Sequence, residues 1–266
     1  QKLTLGQVQA AIVDPASSRD AANRFGQQPS ARSVVRFYGL NLGAEDFWDP
    51  RVREAALVSI DRPSVLEELP MAGFTADGVA GATTAGFRYG ACDTACLYNP
   101  SESRSLLRDV GRAPTLTVVY ATEDQAGVAR EISSSLGRGG FRTEVVEVAP
   151  AQLPGMIADG SAEVFAFGWA APAGSMDAVV PPLFASGSSL NVTRLVSVEV
   201  DDLLAEAAVT ADDNARWDLL AQAHQAALAQ WVLIPVAVAH NGLVQSPDIA
   251  PLAIRADGSL DPTSIG

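Results

Sequence analysis

Helical and strand-like patterns alternate from Asn99 to Trp169, and this alternation restricts the fold more than any other feature of the chain. Three apolar, β-rich runs stand in this stretch, "TLTVVYA", "RTEVVEV" and "EVFAFGW". Helical segments separate them, at Asp124 to Leu136 and around Gln152 to Asp159. Because connections of that length join parallel strands by right-handed crossovers, we predict a β-α-β-α-β unit in an α/β fold.

The flanking segments add further strands and helices. Asp49 before Pro50 is a typical helix start, in which the side chain caps the first turn and proline takes its first position. We expect Thr210 to cap a long helix, and residues 71–98 to form a long loop without regular structure. Other helix starts are predicted at Asp61 and Asn99, another helix at 198–209, and strands at 8–13, 33–42 and 232–240.

Charge and apolar content exclude several classes of protein. The chain has 266 residues, of which 48% are hydrophobic, so it can build a substantial core. Its 18 basic and 31 acidic residues give a net charge of −13, which repels phosphate backbones, and we expect no nucleic-acid partner. There is no run of about 18 apolar residues, so we expect no membrane span. One Lys against 17 Arg is typical of a high-GC bacterial genome.

Catalytic signatures are missing from the sequence. The two histidines, His224 and His240, are far apart and lie in apolar segments, and no G-x-S-x-G motif is present. The glycine-rich "GRGGF" follows a helix and precedes a strand, the reverse of the order that a phosphate-binding loop needs. We therefore predict no catalytic residue, no cofactor and no metal site, and we interpret His224 as a packed helix residue.

Two cysteines, Cys92 and Cys96, lie in the loop "YGACDTACLYNP". A disulfide is the favoured interpretation, with unpaired buried thiols as the alternative. A metal site is disfavoured because the two histidines are distant and further ligands are lacking. A disulfide would favour an exported protein.

Trp169 ends the last predicted strand of the β-α-β-α-β unit and begins a loop of small residues and prolines. Ligands of open α/β sheets lie beyond the carboxyl ends of the strands, so Trp169 is expected to mark a ligand cleft. The alternative is that the indole closes the end of the core, since large aromatic side chains dominate core area.

Four blocks of the sequence, in order, carry a resemblance to a known family. They are "FYGLNLGAEDFWDPRVREAALVSIDRPSVLEEL", "LYNPSESRSLLRDVG", "FAFGWAAPAGSMDAVVPPLFASG" and "NVTRLVSVEVDDLLAEA". They resemble, respectively, the family's LNL strand before "F-x-D-P-R-V-R", its "Y-D-P-x-K-A-x-x-L-L" helix, its "GW-x-x-D" block and the segment after that block. The family is the extracellular solute-binding proteins, family 5, the oligopeptide, dipeptide and nickel binders of ABC importers.

The resemblance implies a fold of the α/β class, a periplasmic-binding-protein-like class II lobe with a mixed, mainly parallel sheet flanked by helices. It implies three parts: a partial lobe I segment with a crossover strand at 1–37, the ligand-binding lobe II at 38–234, and a return crossover with a partial lobe I tail at 235–266. Family members are considerably longer. We therefore expect a C-terminal portion whose N-terminal lobe is not in this polypeptide.

The resemblance also implies site residues. Peptide binders of the family contact the ligand through the backbone at the GW motif, which here is Gly168, Trp169 and Ala170, and hold its α-ammonium with the Asp of GW-x-x-D. Pro172 stands at that Asp position and cannot form an ion pair, which argues against an α-amino-anchored ligand. Asp177 matches a later acidic position and is a candidate substitute.

Asn41 matches the LNL asparagine. It either lines the cleft or makes a hydrogen bond at the strand end.

Two functions follow from the resemblance. The first is non-catalytic binding of a small solute or peptide-like ligand between two lobes for import through an ABC permease, by an exported, lipid-anchored protein. The alternative is a cell-envelope lipoprotein of the same fold that regulates or assembles cell-wall or glycolipid components.

Overall fold

The computed structural model describes residues 6–13, 27–69, 73–82, 84–92, 96–122, 125–169, 174–246, 248–252 and 263. Its helices are α1 (Pro50–Val58), α2 (Arg62–Glu67), α3 (Pro100–Val110), α4 (Ala126–Gly139), α5 (Leu153–Asp159), α6 (Val180–Phe184), α7 (Val198–Val209) and α8 (Asp213–Leu228). Its strands are β1 (Ala10–Val13), β2 (Gln27–Leu40), β3 (Gly73–Thr75), β4 (Thr115–Tyr120), β5 (Arg142–Glu147), β6 (Val164–Trp169) and β7 (Leu233–Gln245).

Within the described residues, the strands form one mixed sheet in the order β1-β7-β2-β6-β4-β5, with β3 on the outer edge of β7. Strand β4 is parallel to both β5 and β6, as the alternation of strands and helices predicted. The α/β class and the mixed sheet flanked by helices are confirmed. The expectation of a mainly parallel sheet is wrong for these strands, because β2 and β7 run antiparallel to every neighbour.

The helix starts predicted at Asp49 and Asn99 form as the sequence indicates. Asp49 accepts a hydrogen bond from the backbone N–H of Arg51 at 2.9 Å, and Asn99 accepts one from that of Glu102 at 3.1 Å. Each side chain thereby satisfies a donor that has no partner inside its helix. Helix α3 ends at Gly111, whose positive φ of 77° suits glycine.

The predicted cap at Thr210 is wrong. Its hydroxyl donates to the carbonyl of Glu206 at 2.8 Å, which places Thr210 at the end of α7. Asp212 caps α8 instead and accepts from the N–H of Ala215 at 2.9 Å. A short polar stretch between two helices offers several capping side chains, and the local pattern does not decide among them.

Successive side chains of the central strands enter two separate cores, as the pleat of a strand requires. Tyr38 and Leu40 of β2 lie in a core formed with α1, α2, α3 and α4. Val35 and Phe37 lie in a second core on the other face, formed with α6, α7 and α8. Each fully buried large apolar side chain contributes about 1.5–3 kcal/mol. The sheet is therefore the middle layer of three.

Strands β2 and β7 extend past the rest of the sheet. The pairing of β2 with β6 stops at Val35 opposite Trp169, whereas β2 and β7 stay paired back to Gln27 opposite Val244, and β1 joins β7 there. The two strands are longer than predicted because they continue into this ribbon. Part of the loop expected at 71–98 is also regular, since β3 pairs with β7.

Candidate ligand-binding site

The candidate site lies where the parallel strands β4 and β6 end. Strand β6 pairs with β4 only at Val164 and Phe165, while its pairing with β2 continues to Trp169. Among the described residues, no strand pairs with the β4-facing edge of residues 167–169. Backbone N–H and C=O groups need hydrogen-bond partners when they leave water. This strand edge can therefore pair with the backbone of an extended ligand.

Trp169 is half-buried at the end of this edge and packs partly against the core of α6, α7 and α8. Its indole N–H is buried and has no acceptor among the described residues. A buried donor without an acceptor costs about 1–3 kcal/mol. The indole is thus neither sealed inside the core nor fully satisfied, and its N–H can donate to a bound molecule.

Gly168 is exposed, and the side chain of Arg36 lies across it on the opposite face of the sheet from Trp169. A Cβ atom at residue 168 would lie 3.4 Å from both Cδ and Nη1 of Arg36. Arg36 also lines a narrow notch with Tyr38, Gln125 and Phe167. The strand end therefore has an aromatic ring on one face and a cation on the other.

Two polar side chains shape the end of β4. The hydroxyl of Tyr120 donates to the carboxylate of Glu147 at 3.1 Å. Gln125, just before α4, accepts from the N–H of Ala121 at 3.1 Å. Both bonds hold the chain where it leaves the sheet, beside the open edge of β6.

Asn41 does not line this site. Its side chain is fully buried, and its amide donates to the carbonyls of Ile157 at 2.8 Å and Ala162 at 3.0 Å. Its oxygen accepts from the N–H of Gly43 at 3.0 Å. Of the two interpretations of Asn41, the structure supports the hydrogen bond at the strand end, and the expectation of a cleft-lining side chain is corrected.

Asp177 is also committed to the protein itself. One carboxylate oxygen accepts from Nε of Arg216 at 2.8 Å and the other from the indole of Trp217 at 3.1 Å. Both partners belong to α8, so Asp177 anchors its short 3₁₀ turn to that helix. An ammonium group would have to compete with Arg216, so we withdraw Asp177 as a substitute anchor. Ala170 and Pro172 lie outside the described residues.

Cys92 and Cys96 are joined in a disulfide, with Cα atoms 5.3 Å apart. The loop around them is held by two charged side chains. Asp77 accepts from the N–H groups of Gly90 at 2.6 Å and Cys92 at 3.2 Å, and Arg62 donates to the carbonyl of Cys96 at 3.2 Å. Burial lowers the pKa of Arg62.

His224 is a packed residue of α8, as predicted. It is 2% exposed, accepts from the N–H of Val79 at 3.2 Å and stacks on Phe184. Burial lowers its pKa from 6.5 to about 4, although the charge of Asp77 acts in the opposite direction. Its ring is neutral near pH 7, with the proton on Nδ1, since Nε2 accepts a bond.

No three His, Cys, Asp or Glu side chains of the described ranges come together as a metal site. None of the helices in the described part of the chain is long and apolar enough to cross a membrane.

Residues 1–191 match the family model described as bacterial extracellular solute-binding proteins, family 5 Middle. The chain belongs to this family. Curated relatives of this chain include the glutathione-binding protein GsiB of Escherichia coli K12, 24% identical over 192 residues, which are 67% of this chain and 37% of GsiB. GsiB of Shigella dysenteriae is 24% identical over 218 residues, 77% of this chain and 42% of that protein.

Solved structures of other proteins show the same fold. HbpA2 from Haemophilus parasuis superposes with a TM-score of 0.85 at 17% identity, over 97% of this chain and 54% of HbpA2. DppA from Helicobacter pylori, solved in complex with the peptide STSA, superposes with a TM-score of 0.80 at 17% identity, over 97% of this chain and 52% of DppA. The family 5 chain thus spans about half the length of these proteins.

Proposed function

We propose that this chain forms one wall of a cleft that binds a peptide-like solute without chemical conversion, for delivery to an ABC permease. The observation that carries the proposal is the open edge of β6 at residues 167–169, next to an indole N–H that lacks an acceptor within the described residues. An extended ligand can add its backbone to such an edge, which gives affinity with little dependence on ligand side chains. Family membership and the peptide-bound relative support the same kind of ligand.

The opposite wall is proposed to be a second lobe, because the matched structures are about twice as long as this chain and because one open edge covers only part of a ligand. We place lobe II at 38–234 and the crossover segments at 1–37 and 235–266. The first boundary falls inside β2 and the second inside β7, beside a register shift between Arg36 and Phe37. A bulge bends a strand locally, so closure of the lobes can be accommodated there.

The ligand is proposed to present a hydrogen-bond acceptor or an anionic group at the end of β6, rather than an α-ammonium. Pro172 replaces the aspartate of the family motif, and Asp177 is paired with Arg216. A buried ammonium without a carboxylate would cost several kcal/mol. The indole N–H of Trp169 offers a donor at this strand end, and Arg36 places a positive charge beside Gly168.

The lost ammonium anchor also favours a second candidate, an envelope lipoprotein of the same fold that regulates or assembles cell-wall or glycolipid components. Lipid anchoring, a cell-envelope location and a high-GC bacterial source belong to this proposal and equally to the first. Permease and ATPase genes beside the gene would favour import. Isolated placement near envelope-biosynthesis genes would favour regulation.

The polarity of the ligand can be tested with matched peptides. The full-length protein is titrated calorimetrically with short peptides that carry either a free or an acetylated amino terminus. We expect the acetylated peptides to bind at least as tightly as the free ones, and Trp169→Ala to weaken both. Trp48→Ala is the control, because Trp48 is 66% exposed and lies outside the site. An absolute requirement for the free amino terminus would refute the proposed polarity.

A further inference from the structure

A second concave surface lies at the opposite end of the parallel strands from Trp169. It is a groove of about 560 Å³ where α3 and α4 end, close to the first residues of β4. Three arginines surround it, Arg104, Arg108 and Arg112, and Leu107 and Gly140 lie among the other residues that line it. We call it the arginine groove.

The arginine groove is strongly basic in a chain whose net charge is −13. None of its lining residues is acidic. Arg104 and Arg108 are four residues apart in α3, so they project from the same face one turn from each other. Such a concentration of cations attracts anions locally, although the molecule as a whole is acidic.

Two of the three guanidinium groups are held in position by the protein. Arg104 donates to the carbonyl of Arg138 and to the hydroxyl of Ser101. Arg112 is paired with the carboxylate of Asp46. Each guanidinium carries five N–H donors, so both keep donors for a ligand.

The third arginine, Arg108, is exposed, and its guanidinium makes no hydrogen bond or ion pair with another residue in the described part of the chain. It is therefore the arginine most available to a ligand.

Arginines near helix ends also stabilise the helix dipole, and this is the competing explanation. The carboxyl ends of both helices are, however, already closed by glycines, since Gly111 bonds to the carbonyls of Leu107 and Arg108 and Gly140 to that of Gly137. A dipole interaction also requires no cavity. Three arginines around one concave surface are better explained by binding of a multivalent anion than by stabilisation of a helix end.

We propose that the arginine groove binds a phosphate group. A carboxylate presents two oxygens, which one guanidinium satisfies in a bidentate pair, whereas a phosphate presents more oxygens and a larger charge and suits several arginines. The volume of the groove is that of a small-molecule site. The phosphate belongs either to a soluble phosphate compound or to a phospholipid headgroup.

The test measures both sources on the 266-residue chain. Inorganic pyrophosphate is titrated calorimetrically at low ionic strength, and co-sedimentation is measured with vesicles of phosphatidylglycerol and phosphatidylcholine against vesicles of phosphatidylcholine alone. Arg108→Gln is the test variant and Arg104→Gln a second one. Arg130→Gln is the matched control, because Arg130 is exposed and is placed in the first half of α4, away from the groove.

We expect Arg108→Gln to weaken binding about fivefold or more, as the loss of a charged hydrogen bond does, while Arg130→Gln changes binding less than twofold. Pyrophosphate binding with this pattern supports a soluble ligand, and vesicle binding with this pattern supports a headgroup. Absence of binding to both probes overturns the proposal. Equal losses in Arg108→Gln and Arg130→Gln also overturn it, because they would reflect net charge alone.

Discussion

Acidification is expected to destabilise the chain through one residue, His224. The imidazole is sealed between α8, Phe184 and the backbone at Val79, and burial holds its pKa at about 4 instead of 6.5. In the unfolded chain the ring titrates near its ordinary value. Between pH 6.5 and pH 4 the unfolded state therefore binds more protons than the folded state.

The direction of the pH dependence of stability follows from this difference in bound protons. Stability from His224 is fully present above pH 6.5, declines as the pH falls through this window, and changes no further below about pH 4. A pKa lowered from 6.5 to about 4 corresponds to a loss of about 3 kcal/mol. The ring is completely buried, so solvent screening does not reduce this magnitude. For a domain of ordinary stability this is a large fraction of the total.

The assay is urea unfolding at pH 7.5 and pH 4.5, followed by circular dichroism. His224→Gln removes the titrating ring while keeping a side-chain oxygen as an acceptor, and Phe184→Leu is the control because it removes the stacking partner but leaves the titration. We expect His224→Gln to be less stable than the parent at pH 7.5 and to lose about 2–3 kcal/mol less on acidification. If His224→Gln loses as much on acidification as the parent does, the reasoning is refuted.

Three further predictions concern other buried or half-buried groups. Burial raises the pKa of Glu163, and the neighbouring carboxylate of Asp46 adds to the effect. Glu163→Gln is therefore expected to raise the midpoint of thermal unfolding at pH 7, with a smaller gain at pH 4. An equal gain at both pH values would contradict this. Under non-reducing conditions the chain is expected to have a mass lower by two hydrogen atoms than the reduced chain, because of the disulfide between Cys92 and Cys96. Equal masses of the reduced and non-reduced chain would exclude the disulfide. Replacing the buried Arg53 by Met should lower the free energy of unfolding in urea by about 2 kcal/mol, because the backbone carbonyls bound to its guanidinium lose their donor. An unchanged stability would show that these bonds contribute nothing.

Features set by neighbouring residues were predictable from the sequence. The β-α-β-α-β unit follows from runs whose periodicity is local, and the caps at Asp49 and Asn99 act on N–H groups two and three residues away. The position of Trp169 at a strand end follows in the same way. Such patterns are decided within a few residues, and a single sequence contains them.

Features set by distant contacts were not predictable. Asn41 bonds to carbonyls 116 and 121 positions away, and Asp177 to side chains 39 and 40 positions away, so no local pattern distinguishes these roles from ligand binding. The antiparallel pairing of β2 with β6 likewise depends on chain order in the sheet. The position of Arg36 at the site could have been suspected from the sequence, because it is a charged residue within the apolar strand "SVVRFYGL".

The central claim is that the end of β6 contacts a bound solute. Native mass spectrometry of the full-length protein, purified from its own host without added ligand, tests it most directly. We expect a non-covalent adduct of small mass that is retained in Trp48→Ala and lost or strongly reduced in Trp169→Ala. An adduct of the same mass and abundance in Trp169→Ala would contradict the claim.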